Sequence, residues 1–294
     1  MKKQGSIFVA LGFLVLANVF AWTVVFDLRQ PRFLEVNFFD VGQGDAIFIE
    51  TPQGRQILID GGPDSTILEK LGQEMPFYDR TIDLVILSHP EEDHLSGLIG
   101  VLKRYKVENI LWTGVLHTAP EYDEWKRLIE TEGTKIQIAK AGQKIFWSKN
   151  PENFIEILYP FENLAGQDFK DVNDTSLVSR LVFGGKSFLF PGDIFEKAEG
   201  EILNRGATID SDVLKVAHHG SKTSSSPQFL AEVSPEIAVI SLSKDNKYGH
   251  PHQETLEKLK NYGIRILRTD QDGDIKIISD GKALRIAHCS HTAN

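Results

Sequence analysis

An apolar run that ends in a cluster of ionisable side chains constrains this chain of 294 residues most strongly. Residues 83–88 are typical of a buried strand, and the residues from Asp93 onward are typical of a helix. Between them, the segment His89-Pro90-Glu91-Glu92-Asp93-His94 contains several potential metal ligands. Side chains at a strand-to-helix turn lie beyond the strand's carboxyl end, where open α/β folds place their sites. The cluster predicts such a site, with a solvated charged loop as the alternative.

The same arrangement, a hydrophobic strand followed at once by ionisable residues, recurs at three other places. These are Asp60 before two glycines, Asp193 after Pro191-Gly192, and the pair His218-His219. Each aspartate could simply cap a turn or a helix, but the four segments together favour a metal. Imidazoles and carboxylates suit Zn²⁺, Mn²⁺ or iron, and about six such ligands fit two ions better than one. Two ions can stabilise both oxygens of a displacement reaction.

Composition and charge exclude several classes of protein. The single cysteine, Cys289, excludes an internal disulfide and a thiolate-rich zinc site. A net charge of −9 argues against a broad nucleic-acid-binding face, which is normally basic. Metal ions can nevertheless supply positive charge at a local site. Alternating short strands and helices, without a Pro/Gly-rich linker, indicate a layered α/β architecture.

The N-terminal segment is unusually apolar, because residues 4–26 contain no charged side chain. As a helix, residues 6–26 would extend about 31 Å, which is enough to cross the hydrocarbon core of a bilayer. We expect residues 1–28 to be a single-pass membrane anchor, or a signal segment if they are cleaved, and residues 33–290 to form the globular domain. Lys2 and Lys3 weakly favour an extracytoplasmic domain, which would be secreted after cleavage.

These segments resemble a known family. The segment from His89 to His94 is similar to the HxHxDH signature of the metallo-β-lactamase superfamily, and Asp60, Asp193 and the histidine after residues 212–217 match its other motifs in the right order. Other segments resemble the C-terminal domain of ComEC-type competence proteins: Phe39-Asp40-Val41-Gly42-Gln43-Gly44-Asp45-Ala46, residues 173–178, residues 214–224 and residues 246–251. The resemblance implies an αββα sandwich that hydrolyses a phosphodiester through a metal-activated hydroxide, with DNA as the expected substrate in this branch.

The resemblance also implies two divalent ions, Zn²⁺ or Mn²⁺. The implied ligands are His89 and Glu91 for one ion, Asp93, His94 and His218 for the other, and Asp193 as the bridge. His218 is preferred because it directly follows the strand, although His219 could replace it. Glu91 stands where the signature has a second histidine, and a carboxylate there favours Mn²⁺ over Zn²⁺. Another expected histidine is missing, and Asn173 stands near its place.

Two loops are expected to contact the substrate. The residues after His218 form a turn rich in donors that suit phosphate oxygens. We expect Asp93 to orient the attacking hydroxide and His250 to protonate the leaving group. The further substrate-binding candidates are Asn173, Ser176, His219, Ser221, Lys222, Asn246 and Tyr248. For Tyr248 and His250, ordinary turn packing is the alternative.

Two other functions remain open at this point. One is hydrolysis of a small phosphoester such as phosphorylcholine, or of a lactone, which the acidic charge and the lack of an aromatic-basic groove slightly favour. The other is a membrane-anchored binding module with a degenerate metal site, suggested by Glu91 and the missing histidine. The polytopic channel domain of ComEC proteins is absent from the sequence, so we expect DNA import to need a separate channel protein. The oligomeric state is left open.

Overall fold

The structure is a computed structural model that describes residues 2–29, 33–131 and 133–288. Its contacts divide the chain into two compact units, Met1–Arg32 and Phe33–Asn294. The roles that we predicted for residues 1–28 and 33–290 stay predictions. Cys289 lies outside the described residues.

The first unit is built on one helix, α1 (Lys2–Arg29). We predicted that this segment spans a membrane. Within the part of the chain that the structure describes, no helix reaches the combined length and apolarity needed to cross a bilayer. The membrane anchor and the extracytoplasmic location therefore remain predictions from the sequence alone.

The second unit contains two sheets. In chain order, the strands are β1 (Leu34–Phe38), β2 (Ile47–Glu50), β3 (Gln56–Ile59), β4 (Thr81–Leu87), β5 (Lys106–Trp112), β6 (Lys135–Ile138), β7 (Lys144–Phe146), β8 (Asn153–Tyr159), β9 (Val178–Phe183), β10 (Lys186–Phe190), β11 (Val213–Lys215), β12 (Ile237–Ile240), β13 (Arg265–Arg268), β14 (Ile275–Ser279) and β15 (Leu284–His288). The first sheet has the order β15-β14-β1-β2-β3-β4-β5-β6 and the second has the order β13-β12-β11-β10-β9-β8-β7.

Helices cover the outer faces of both sheets. They are α2 (Thr66–Glu74), α3 (Glu92–Arg104), α4 (Pro120–Thr131), α5 (Glu196–Asn204), α6 (Pro227–Val233), α7 (Gln253–Asn261) and the short α8 (Thr269–Asp272). One apolar cluster joins α2, α3 and α4 to the first sheet, and another joins α5, α6 and α7 to the second. Each of the helices α2 to α7 therefore buries an apolar face against a sheet.

The core between the sheets follows from the two-residue period of the strands. In β2, Ile47 and Ile49 face the inner cluster, whereas Phe48 faces the outer cluster with α2 and α3. Rings from the two sheets meet in the middle, where Phe38 and Phe190 lie 6.2 Å apart between centroids. Two sheets face to face with helices on both outer faces confirm the predicted αββα sandwich.

The sheets bring the candidate site residues together at one edge. Strands β3, β4 and β5 run parallel in the first sheet, and β10, β11 and β12 run parallel in the second. Their carboxyl ends carry the polar segments singled out in the sequence. Close backbone approach fixes this edge, since a Cβ at Gly97 of α3 would lie 1.9 Å from the carbonyl oxygen of Gly61. Only glycine allows that contact.

Candidate metal centre

Three buried histidines converge between the two sheets. His89 follows β4, His94 lies in the first turn of α3, and His219 lies in the 3₁₀ segment Ala217–Gly220 after β11. The ring centroids of His89 and His94 are 4.2 Å apart, and those of His94 and His219 are 5.4 Å apart. Two sheets and one helix thus supply imidazoles to a single point.

Two aspartates complete this cluster. The Oδ2 atom of Asp193 lies 3.4 Å from Nε2 of His94 and 3.2 Å from Nε2 of His219. The Oδ2 atom of Asp93 lies 3.3 Å from Nε2 of His219. Among the described residues, four sets of ligand atoms each lie within 4.8 Å of one another. Two of them form this centre, one from His89, His94 and Asp193 and the other from Asp93, His94 and His219; the remaining two include Asp45.

Hydrogen bonds behind the cluster fix the orientation of the rings. Nδ1 of His94 contacts Oδ2 of Asp60 at 2.8 Å, and Nδ1 of His219 contacts the carbonyl oxygen of Ser241 at 2.8 Å. Asp60 in turn accepts hydrogen bonds of 2.7 Å from both the backbone and the hydroxyl of Ser88. Such partners fix the tautomer of a metal-ligating histidine and raise its basicity. Both rings therefore present Nε2 to the cluster.

The residues present fit a divalent metal. Among the described residues, the buried Nε2 atoms of His89, His94 and His219 find no hydrogen-bond partner. Buried polar atoms are normally satisfied, so three such nitrogens facing two carboxylates need an explanation. Imidazole nitrogens and carboxylate oxygens are ligands of Zn²⁺ and Mn²⁺. The donor set therefore supports the binding of a divalent metal.

Neighbouring charges, rather than burial, decide the direction of the pKa shifts of Asp193, His219 and His94. Burial disfavours the charged form of Asp193, but His219, His94 and Lys215 outweigh it and hold the pKa of this carboxyl well below its ordinary value. Burial likewise opposes charge on His219, yet Asp193 and Asp45 raise its pKa to about 10. The pKa of His94 is raised well above its ordinary value against its burial penalty by Asp193, Asp93 and Asp60. The cluster therefore keeps its carboxylates ionised.

His219, rather than His218, reaches this cluster. None of the ligand groups formed by the described residues includes His218. Its ring lies 5.2 Å from that of Phe195 and 5.6 Å from that of His250, between centroids. Both histidines have left-handed backbone conformations, with φ of 50° and 52°. The backbone therefore turns sharply here, and the ring of His219, not that of His218, faces the cluster. We revise the predicted ligand accordingly.

Glu91 lies at the edge of the cluster. It precedes α3, and its Oε1 accepts a hydrogen bond of 3.4 Å from Nδ2 of Asn173. Burial and the neighbouring Asp93 raise the pKa of Glu91 to about 7. The two residues that depart from the family pattern therefore contact each other. Glu91 stands in the place of the second histidine of the signature, and Asn173 stands near the place of the other missing histidine.

Two predicted substrate contacts are occupied by internal hydrogen bonds. The buried hydroxyl of Ser176 donates to the carbonyl of Asn173 and accepts from the backbone nitrogen of Asp193, at 2.6 and 3.1 Å. The side chain of Asn246 closes its own loop through the carbonyls of Ser243 and His250. We therefore assign Ser176 to the support of Asp193, and Asn246 to the support of its loop.

The other predicted contacts differ in their exposure and surroundings. Tyr248 is 64% exposed, and its ring stacks on that of His250 with centroids 5.7 Å apart. Burial and the neighbouring His219 and His218 lower the pKa of His250 to about 4, which does not favour its predicted role as proton donor. Ser221 is buried and pairs with the hydroxyl of Thr223 at 2.9 Å. Lys222 is exposed.

Sequence reasoning gave too little weight to three buried residues behind the ligands. Asp60 was singled out only as one of the strand-end segments that favour a metal and match the family's motifs, and it lies behind His94. Asp45 was named only as part of a segment that resembles the competence proteins. Lys215, the last residue of β11, is 1% exposed and forms ion pairs with Asp45 and Asp193. A lysine at the end of an otherwise apolar strand was the signal, because buried lysines are nearly always paired.

Comparison with known proteins gives the family. Residues 39–244 match the model of the metallo-β-lactamase superfamily. The fold resembles the crystal structure of YhfI from Bacillus subtilis, a metallo-β-lactamase fold protein, with a TM-score of 0.56 and 14% identity. That match covers 84% of this chain and all of the other. The chain belongs to the metallo-β-lactamase superfamily, and its ligand groups are those of a metal-dependent hydrolase.

Two curated relatives carry the finer resemblance. ComE operon protein 3 of Bacillus subtilis is 34% identical over 259 residues, and competence protein ComA of Neisseria gonorrhoeae is 32% identical over 248 residues. Each match covers 82% of this chain but 32% of the relative. The chain thus spans about a third of the length of these relatives. The predicted resemblance to competence proteins is confirmed.

Proposed function

We propose that this chain is a metal-dependent phosphodiesterase that cleaves DNA. The observation that carries the proposal is the convergence, between the sheets, of two carboxylates and three imidazole nitrogens that have no hydrogen-bond partner among the described residues. A cleft of about 520 Å³ opens beside them and is lined by Glu91 and Asp93, among others. DNA is the proposed substrate because competence proteins are among the relatives.

The proposed ligands are His89, Asp93, His94, Asp193 and His219, with Glu91 at the edge. Divalent ions bound there would polarise the phosphoryl oxygen and lower the pKa of the attacking water. The chain's own residues prepare this chemistry. Asp60 and the carbonyl of Ser241 hold two imidazoles in orientation, and Ser176 supports the backbone at Asp193. We assign Asp93, which faces the cleft, to orienting the attacking water.

One observation favours the alternative, a small phosphoester. The charged residues that line the cleft are mainly acidic, with Glu91, Glu92, Asp93, Glu121 and Asp245 against Lys247. Unneutralised carboxylates repel a polyanion more strongly than a small ester, because the repulsion adds up over each phosphate within reach. A DNA substrate would therefore enter over a short length, as a single strand or an end.

The two substrates can be separated by direct competition. The full chain, loaded with Mn²⁺ or Zn²⁺, is offered single-stranded DNA, bis-p-nitrophenyl phosphate, phosphorylcholine and a lactone. We expect cleavage of DNA and of the phosphodiester, with a rate on DNA that depends on ionic strength because its phosphates meet a charged cleft. Turnover of phosphorylcholine or the lactone with DNA left intact would refute the DNA assignment. Chelation with EDTA provides the control.

A further inference from the structure

Lys215 is a buried cation beneath the candidate metal centre. It ends β11, and its side chain is 1% exposed. Among the residues that the structure describes, it is the only lysine or arginine in an ion pair with a carboxylate of this centre. Burying an ammonium is costly unless partners compensate for its lost hydration. The carboxylates around Lys215 must therefore compensate for the hydration that its ammonium group loses on burial.

The geometry gives the two oxygens of Asp193 different partners. Oδ1 lies 3.5 Å from Nζ of Lys215, whereas Oδ2 faces Nε2 of His94 and of His219. One oxygen is thus held from behind by the lysine. The other is presented to the point where the imidazoles converge.

The second partner of Lys215 is Asp45, which touches it directly. Asp45 also lies 3.6 Å from Nδ1 of His219 and 3.9 Å from Nδ1 of His94. The loop that contains Asp45 packs closely against α3, because a Cβ at Gly44 would lie 2.0 Å from the carbonyl oxygen of Asp93. The ion pair therefore joins this loop to the end of β11.

We propose that Lys215 is a positioning residue that holds Oδ1 of Asp193 so that Oδ2 faces the metal. The inference rests on the proposed metal centre and deepens it. Without Lys215, the carboxylate of Asp193 would be free to rotate, and the affinity of the centre for metal would fall. The competing explanation is purely structural, with Lys215 serving only to neutralise Asp45.

Double substitution separates these explanations. Lys215→Met alone leaves the buried Asp45 without its partner and is expected to unfold or severely weaken the chain. Asp45→Asn combined with Lys215→Met removes both charges together. The informative comparison is therefore between Asp45→Asn, which retains the lysine beside Asp193, and Asp45→Asn/Lys215→Met, which does not. Circular dichroism checks folding, and calorimetric titration with Mn²⁺ or Zn²⁺, without substrate, measures affinity.

We expect the double variant to bind metal about 10–100-fold more weakly than Asp45→Asn, the usual range for lost support of a ligand. Equal affinities of these two variants would overturn the inference. The matched control is Lys186→Met/Asp212→Asn, which removes a lysine–aspartate pair elsewhere on the same sheet and should leave metal affinity unchanged. If the unaltered chain bound metal but cleaved no ester, the proposed function would be refuted, whereas the role of Lys215 in metal binding would stand.

Discussion

Asp193→Ala is expected to abolish hydrolysis while leaving the sandwich folded. Asp193 lies between His94 and His219 and is the proposed bridge between ions. Loss of a metal that contributes several kcal/mol to the transition state lowers the rate by roughly a thousandfold or more. The rate of phosphodiester cleavage at saturating Mn²⁺ measures this effect, and circular dichroism checks the fold.

The control for this variant is Asp245→Ala. Asp245 is also an aspartate that lines the cleft, but it is exposed and belongs to neither of the two ligand sets at the metal centre. Its removal should leave the rate close to that of the unaltered chain. An Asp193→Ala protein that retains full activity would show that the reaction does not use this cluster.

His219→Ala and His218→Ala are expected to differ sharply, although the residues are adjacent. Nε2 of His219 faces Asp93 and Asp193, so its loss removes a proposed ligand. We expect metal binding to weaken by more than about tenfold, because losing a side chain that only supports a ligand already costs about 10–100-fold. His218 packs against Phe195 and His250 instead. Titration of each variant with Zn²⁺ measures the difference.

Each histidine variant is the control for the other, because both lie in the same turn. His218→Ala should bind metal as the unaltered chain does. A large loss of affinity in His218→Ala with none in His219→Ala would restore the original assignment from the sequence and contradict the geometry described above.

The residue pattern was sufficient to predict the strands and the segments that meet at the edge of the sheets. Strand periodicity marks the layers, and the ionisable residues that follow Ile59 and Leu87 mark the ends of parallel strands. These signals are local. The αββα arrangement itself came from the family resemblance, since periodicity alone does not determine how two sheets stack.

Assignments that depend on backbone conformation could not be read from the sequence. Left-handed conformations are rare outside glycine, so the turn that rotates His218 away and brings His219 inward has no sequence signature. The hydroxyl of Ser176 is occupied by a contact with Asp193, 17 residues away. The side chain of Asn246 bonds to the backbone of its own loop, and this contact forms only when the loop is folded. Residue type alone made both look free to bind a substrate.

The metal content of the unaltered chain tests the central claim most directly. The full chain is purified, equilibrated with Mn²⁺ or Zn²⁺, freed of loosely bound ions and analysed by inductively coupled plasma mass spectrometry. We predict two ions per chain, with stoichiometric loss of metal in Asp193→Ala. A folded chain that neither contains nor takes up a divalent metal would contradict the account.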